Sequence, residues 1–61
     1  MIIVEYKSDV VGNGELWRGS ESDISMIRNV VARDLAKRVV KDGKEHKDGM
    51  WTVRKEGMSN V

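Results

Sequence analysis

Hydrophobic and polar positions alternate with a period of two at the start of the chain. One side of residues 2–8 is apolar or aromatic and consists of Ile2, Val4 and Tyr6. The other side consists of Ile3, Glu5 and Lys7. Such alternation is typical of a β-strand with one face against a core. We therefore predict a first strand over about residues 2–11.

The dipeptide Asn13-Gly14 follows this segment and predicts a β-hairpin, because both residues tolerate the positive φ of a type I′ turn. The second strand would cover residues 15–18. A two-residue loop pairs Gly12 with Glu15, Val11 with Leu16, Val10 with Trp17, and Asp9 with Arg18. This register puts Trp17 on the core face, and it puts Ile3, Leu16 and Arg18 on the outer face of the sheet.

The hydrophobic period then changes from two to that of a helix. Apolar residues recur at spacings of three and four, namely Ile24, Ile27, Val31, Leu35 and Val39. Ser20 and Ser22 are candidate N-caps, and Gly43 is a candidate C-cap after a last turn rich in Lys and Arg. We predict one helix over about residues 23–42.

Alternation returns near the end of the chain, where residues 50–55 predict a third strand with Trp51 and Val53 on the core face. The segment 44–49 before it is polar and predicts a loop. We expect one small α+β domain over residues 1–61, in which a ββαβ chain forms a three-stranded antiparallel sheet of order 2-1-3 with one helix on one face. The tail, residues 57–61, is expected to be frayed.

Composition narrows the function classes. The chain has 61 residues, a formal net charge of +1, and neither Cys nor Pro. Without Cys it has no disulfide and no thiolate nucleophile or zinc ligand. The apolar start is too short for a signal peptide or a membrane span, so we expect a cytoplasmic protein that does not bind membranes. Because so small a core gives little stability, we also expect a homodimer.

Catalytic chemistry has few candidates in this sequence. The single His, His46, lies near Asp42, Glu45 and Asp48, but no second His completes a metal site. The segment predicts a solvent-exposed turn, and no glycine-rich phosphate-binding loop is present. We expect no enzymatic activity, no metal and no cofactor.

Charge is distributed unevenly along the chain. Residues 1–23 contain two basic and five acidic residues, whereas residues 24–61 contain nine basic and five acidic residues. Arg33, Lys37 and Lys41 are four residues apart on the predicted helix and would form one basic stripe. A stripe of this kind can follow a phosphate backbone, which makes nucleic-acid binding an alternative function.

The predicted apolar residues outnumber what one helix on one sheet can cover, which favours a docking surface for a protein. We expect that surface on the outer face of the sheet, at Ile3, Leu16 and Arg18. In size and in its lack of catalytic groups, the chain resembles the small regulatory or inhibitor proteins of phages and mobile elements. The sequence thus predicts a small regulatory protein that acts by docking on a macromolecular partner.

Overall fold

A computed structural model describes residues 1–10 and 12–57 of the chain. The elements are β1 (Ile2–Ser8), β2 (Gly12–Gly19), a 3₁₀ helix (Glu21–Met26), α1 (Val30–Asp42), β3 (His46–Asp48) and β4 (Trp51–Lys55). The strands form one antiparallel sheet of order β2-β1-β4-β3, and α1 packs on one of its faces. The α+β class with one main helix is confirmed. The predictions made for Val11 and for residues 58–61 lie outside the described residues.

The sheet has four strands, so the predicted number of three is wrong. The strand predicted at 50–55 corresponds to β4, and it pairs with β1 from Ile2–Lys55 to Tyr6–Trp51, as expected. The additional strand, β3, covers three residues of the segment predicted to be a loop, and it pairs with β4. Because its sequence His-Lys-Asp is entirely polar, the hydrophobic pattern gives no sign of a strand there.

The hairpin between β1 and β2 turns earlier than predicted. Ser8 pairs with Gly12, so Asn13 and Gly14 lie inside β2 and not in the turn. Gly12 adopts a positive φ of 88°, and the backbone N–H of Ser8 donates to Asn13 Oδ1 at 3.0 Å. Asn13 therefore stabilises the hairpin with its side chain, whereas the prediction used its backbone.

The new register changes the partner of every predicted β2 residue. Trp17 lies opposite Val4 and not opposite Val10, and Arg18 lies opposite Ile3 and not opposite Asp9. The register shifts between Val4 and Glu5, which leaves Leu16 as the extra residue of a bulge.

The predicted helix 23–42 is interrupted at residues 27–29. Ile27 and Asn29 have extended backbone conformations, and α1 begins at Val30. The cause is Asn29, whose side chain accepts a hydrogen bond from the N–H of Ala32 at 3.0 Å and caps the helix. The predicted C-cap is confirmed, since Gly43 is left-handed (φ 71°) and its N–H donates to the carbonyl of Val39 at 2.7 Å.

The core lies between α1 and the sheet face that carries Val4. Its buried residues are Ile2, Val4, Ile27, Ala32, Leu35, Ala36, Val39 and Val53. Trp17 and Trp51 are half-buried against this cluster, which confirms their predicted place on the core face. Val31 was predicted to face the core but is exposed, because the helix starts anew at Val30 and turns Ala32 and Ala36 inward.

Candidate functional site

An apolar groove of about 290 Å³ opens on the helix side of the sheet. Its floor consists of Val4, Trp17 and Trp51. The lining also includes Leu16 from β2, and Met26, Ile27 and Ala32 from the 3₁₀ helix, the connecting segment and α1. Arg28 and Asn29 complete the lining at its mouth. We call this site the apolar groove.

The groove exists because the helix covers only part of the sheet. α1 packs mainly over β4 and β3 and has few contacts with β1. The interruption at residues 27–29 separates the 3₁₀ helix from α1, and the two helices remain in contact. Val4 on β1 is buried, but on β2 Trp17 is only half-buried and Leu16 is exposed, so the apolar surface of β2 is left partly open to solvent.

The bulge in β2 brings Leu16 into the lining of the groove. In a regular strand Leu16 and Trp17 would point to opposite faces of the sheet. With the extra residue at Leu16, both side chains lie on the helix side, and Leu16 is 61% exposed there. Met26 also lines the groove and is 71% exposed. Two flexible apolar side chains of the groove are therefore largely exposed to solvent.

The aromatic residues of the groove are held in place by neighbours. The rings of Tyr6 and Trp51 meet edge to face, with centroids 5.0 Å apart and planes inclined at 66°. The Tyr6 hydroxyl donates to Met50 Sδ at 3.3 Å. The Trp17 indole lies directly against Gly19, where the absence of a side chain leaves room for the ring. The floor is thus a fixed surface.

Arg28 gives the mouth of the groove a positive charge. It is the one charged residue among those that line the groove, it is exposed, and it forms no ion pair within the described part of the chain. Asn29 is engaged as the helix cap, and Arg33 donates to the Ile27 carbonyl at 3.4 Å behind the lining segment. Arg28 is therefore the group available to pair with an acidic ligand.

The three residues predicted to form a docking patch on the outer face do not share one surface. Ile3 is on that face but is only 1% exposed, because its cross-strand partners are Arg18 and Arg54, whose long side chains extend over it. Leu16 lies on the other side of the sheet, in the apolar groove. Of these three residues, Arg18 alone is exposed on the outer face.

Ion pairs, not apolar groups, cover the outer face. Arg18 pairs with Glu15 at 3.0 Å and with Glu56, and Arg54 pairs with Glu5 at 3.2 Å. The hydrogen bond that Arg18 donates to Glu15 lowers the pKa of Glu15. This bond and the one that Arg18 donates to Glu56 together raise the pKa of Arg18. These side chains satisfy one another, so this face offers little apolar area to a partner.

The predicted basic stripe of α1 is only partly available. Lys37 and Lys41 are exposed, but Arg33 is half-buried and its guanidinium donates to the Ile27 carbonyl. Arg38, on another side of the helix, pairs with Asp34 at 3.1 Å. The stripe therefore presents two exposed cations, where the spacing predicted three.

His46 lies in β3, not in an exposed turn, and is half-buried beside the end of α1. Its Nε2 is 2.9 Å from Asp42 Oδ2, and Asp42 also accepts from the N–H of Lys44 at 2.9 Å. The Lys44 hydrogen bond, together with the His46 contact, lowers the pKa of Asp42. These interactions stabilise the segment that connects α1 to β3.

No group of three or more His, Asp or Glu residues able to hold a metal ion occurs among residues 1–10 and 12–57.

Reasoning from sequence missed the apolar groove, although it identified most of its residues. Trp17 and Trp51 were predicted on the core face, and Leu16 was predicted on the outer face. The bulge at Leu16 and the interruption at 27–29 bring these residues together. Asn29, a favourable cap residue in the middle of the predicted helix, is the one sequence signal that pointed to the interruption.

Within the described residues, no helix is long and apolar enough to cross a membrane. The chain matches no family model, no curated protein sequence and no solved structure.

Proposed function

We propose that the chain is a non-enzymatic binding protein whose partner is another protein, held in the apolar groove. The observation that carries this proposal is the exposure of Leu16 and Met26 in a groove that two half-buried tryptophans also line. Exposed apolar surface with a polar rim is typical of association sites, and tryptophans in such sites supply much of the binding energy.

The size of the apolar groove indicates what part of a partner would enter it. A volume of about 290 Å³ lies at the lower end of the range for small-molecule sites, and the groove is open along one side. It suits one or two large apolar side chains from a peptide segment. The rest of that segment would lie across the mouth of the groove.

Arg28 indicates which charge the partner's segment should have. An apolar side chain in the groove brings the neighbouring residues of the partner within reach of the guanidinium, which has no competing ion pair in the described residues. The partner sequence favoured by this geometry has a large apolar residue next to Asp or Glu, since Arg binds carboxylates well.

Selection from a yeast-displayed library of random peptides tests the proposal. We expect the selected peptides to share a large apolar residue beside an acidic one. Arg28→Glu should weaken their binding about tenfold, because one attractive charge pair becomes repulsive. Met26→Glu should weaken it further, because it places a carboxylate against the apolar wall of the groove.

Lys37→Glu is the matched control, since it makes the same change of charge on α1 at a residue that does not line the apolar groove. Binding to this variant should equal binding to the unchanged protein. Selected peptides that bind Met26→Glu as tightly as the unchanged protein would contradict the proposal, as would a consensus of basic residues.

Nucleic-acid binding through α1 is the alternative proposal, and the exposed pair Lys37 and Lys41 is the observation in its favour. It predicts affinity for DNA or RNA that falls steeply as salt rises, and that Lys37→Glu weakens. Two such cations would neutralise few phosphates and release few counterions, so the expected affinity is low and this function is placed second. Binding that is absent at low salt would contradict it.

A further inference from the structure

We propose that β2 pairs with β2 of a second copy of this chain, and that the protein forms a dimer whose sheet continues from one copy into the other. β2 is an edge of the sheet and has eight residues, whereas the opposite edge, β3, has three. A long edge strand exposes backbone N–H and C=O groups that another strand can pair with. Neither Lys nor Pro, which commonly protect such edges, occurs in β2.

The bulge restricts how two copies of β2 can pair about a two-fold axis. Across antiparallel strands, opposite residues must point to the same face of the sheet. Glu15 and Arg18 point to the outer face, and Leu16 and Trp17 both point to the helix side. The register that keeps faces matched on both sides of the bulge pairs Glu15 with Arg18 and Leu16 with Trp17.

Registers shifted by one residue fail this condition. A shift in one direction pairs Leu16 with its own copy but sets Glu15 opposite Trp17, on different faces of the sheet. A shift in the other direction pairs Trp17 with its own copy but sets Leu16 opposite Arg18, again on different faces. The bulge thus favours one register when two copies of β2 pair.

The matched register is also complementary in chemistry. On the outer face each Glu15 meets an Arg18 of the second copy, so four charges of alternating sign lie across the axis. On the helix side the exposed Leu16 of each copy meets the half-buried Trp17 of the other, which removes apolar surface from water. Because one strand supplies both halves of each pair, a second copy of this chain is the partner that it fits.

Dimerisation goes beyond the proposed function but would combine with it. Leu16 and Trp17 line the apolar groove, so their contact in the dimer would cover the β2 side of each groove and bring the two grooves next to each other at the axis. A partner with two apolar side chains could then occupy both grooves.

Two charge-reversal variants of β2, measured separately and as a mixture, test the proposal. Glu15→Arg sets Arg opposite Arg18, and Arg18→Glu sets Glu opposite Glu15, so each variant alone has repulsion at two cross-strand pairs. We expect each to raise the dimer dissociation constant about tenfold or more. An equal mixture of the two variants restores both opposite-charge pairs, and it should form a heterodimer about as tightly as the unchanged protein forms its dimer.

Sedimentation equilibrium measures these constants, because the monomer mass is 6.9 kDa and a dimer doubles it. Asp34→Arg and Arg38→Asp are the matched control, since they reverse an exposed ion pair of α1 that lies away from β2. They should leave the dissociation constant unchanged. An unchanged protein that stays monomeric at high concentration overturns the proposal, and so does a mixture of the β2 variants that fails to recover the dimer.

Hydrogen exchange keeps the proposal testable if a variant does not fold. In the unchanged protein, protection of β2 amides should rise with protein concentration, while protection of β3 amides should not. Equal protection of β2 at low and high concentration overturns the proposal. The test of the apolar groove uses Met26 and Arg28, which lie outside β2, so a monomer that still binds selected peptides rejects the dimer alone.

Discussion

The packing of Trp17 against Gly19 leads to a prediction that tests how the apolar groove is built. A Cβ atom added at Gly19 would lie 2.6 Å from both Cη2 and Cζ2 of the Trp17 indole. Non-bonded carbon atoms have their optimum separation at about 3.5–4.0 Å. Since the indole ring is rigid, Gly19→Ala requires the whole side chain of Trp17 to move away from the strand.

The size of the effect follows from two opposing contributions. Added atoms in a packed site destabilise the folded state by about 1–3 kcal/mol. Replacing Gly by Ala also restricts the unfolded chain, which stabilises the protein by about 0.4–1 kcal/mol where the backbone allows it. Gly19 does not have a positive φ, so this second contribution applies there. We expect Gly19→Ala to lower the free energy of unfolding by about 1–2 kcal/mol.

Gly14→Ala in the same strand is the matched control. Gly14 has no positive φ and no atom within 4 Å of an added Cβ, so only the effect on the unfolded chain remains. Urea unfolding followed by tryptophan fluorescence gives both free energies. Gly14→Ala should be neutral or slightly stabilising. Equal stability of the two variants would refute the close packing of Trp17 on Gly19 and, with it, the described floor of the apolar groove.

Three further predictions concern the framework around the apolar groove. Val39→Ala removes methyl groups from a fully buried position and should lower the free energy of unfolding by about 2 kcal/mol. Val40→Ala, at an exposed position, should change it by less than about 1 kcal/mol. Equal losses in the two variants would contradict the described core. Asn29→Ala removes the helix cap and should destabilise the protein by about 1 kcal/mol in urea unfolding, and an unchanged midpoint would contradict the cap. The lowered pKa of Asp42 stabilises the folded state above the ordinary value of 3.8, and this contribution is lost as pH falls through the lower folded-state pKa. Asp42→Asn should therefore flatten the loss of stability in acid unfolding, and an identical pH dependence would contradict the interaction with Lys44.

The elements with strong local patterns could be predicted from the sequence. Alternation identified β1 and β4 as strands, and their antiparallel pairing followed from one helix returning the chain over the sheet. Gly43 marked the end of α1 correctly, because a left-handed C-cap needs a residue without a side chain. The two strands and the C-cap depend on neighbouring residues, which is why the sequence was sufficient for them, and the short chain with a single main helix left few ways to pair the strands.

The errors arose where tertiary contacts decide between local alternatives. Asn13-Gly14 favours a tight turn, but an earlier turn lets Trp17 pair with Val4 over the core. The helical period from residue 23 continues through the interruption, yet burial of Ile27 and the cap at Asn29 favour a separate start of α1. Sequence periodicity measures hydrophobicity at each position and does not compare the energies of such competing registers.

The same limit explains why Ile3, Leu16 and Arg18 do not share the one exposed surface predicted for them. An alternating strand places Ile3 and Leu16 together, and only a bulge separates them. Ile3 then lies beneath ion pairs of the outer face, while Leu16 joins Trp17 in the apolar groove. A bulge is one extra residue in the pairing and leaves no distinct mark on the pattern of β2.

The most direct test of the account is to map where a selected peptide binds. Backbone amide and tryptophan indole NMR signals of the ¹⁵N-labelled protein should be recorded with increasing amounts of peptide. The largest shifts are expected at Leu16, Trp17, Met26 and Arg28, around the apolar groove. Shifts confined to Lys37 and Lys41 on α1, or to the ion pairs of the outer face, would contradict it.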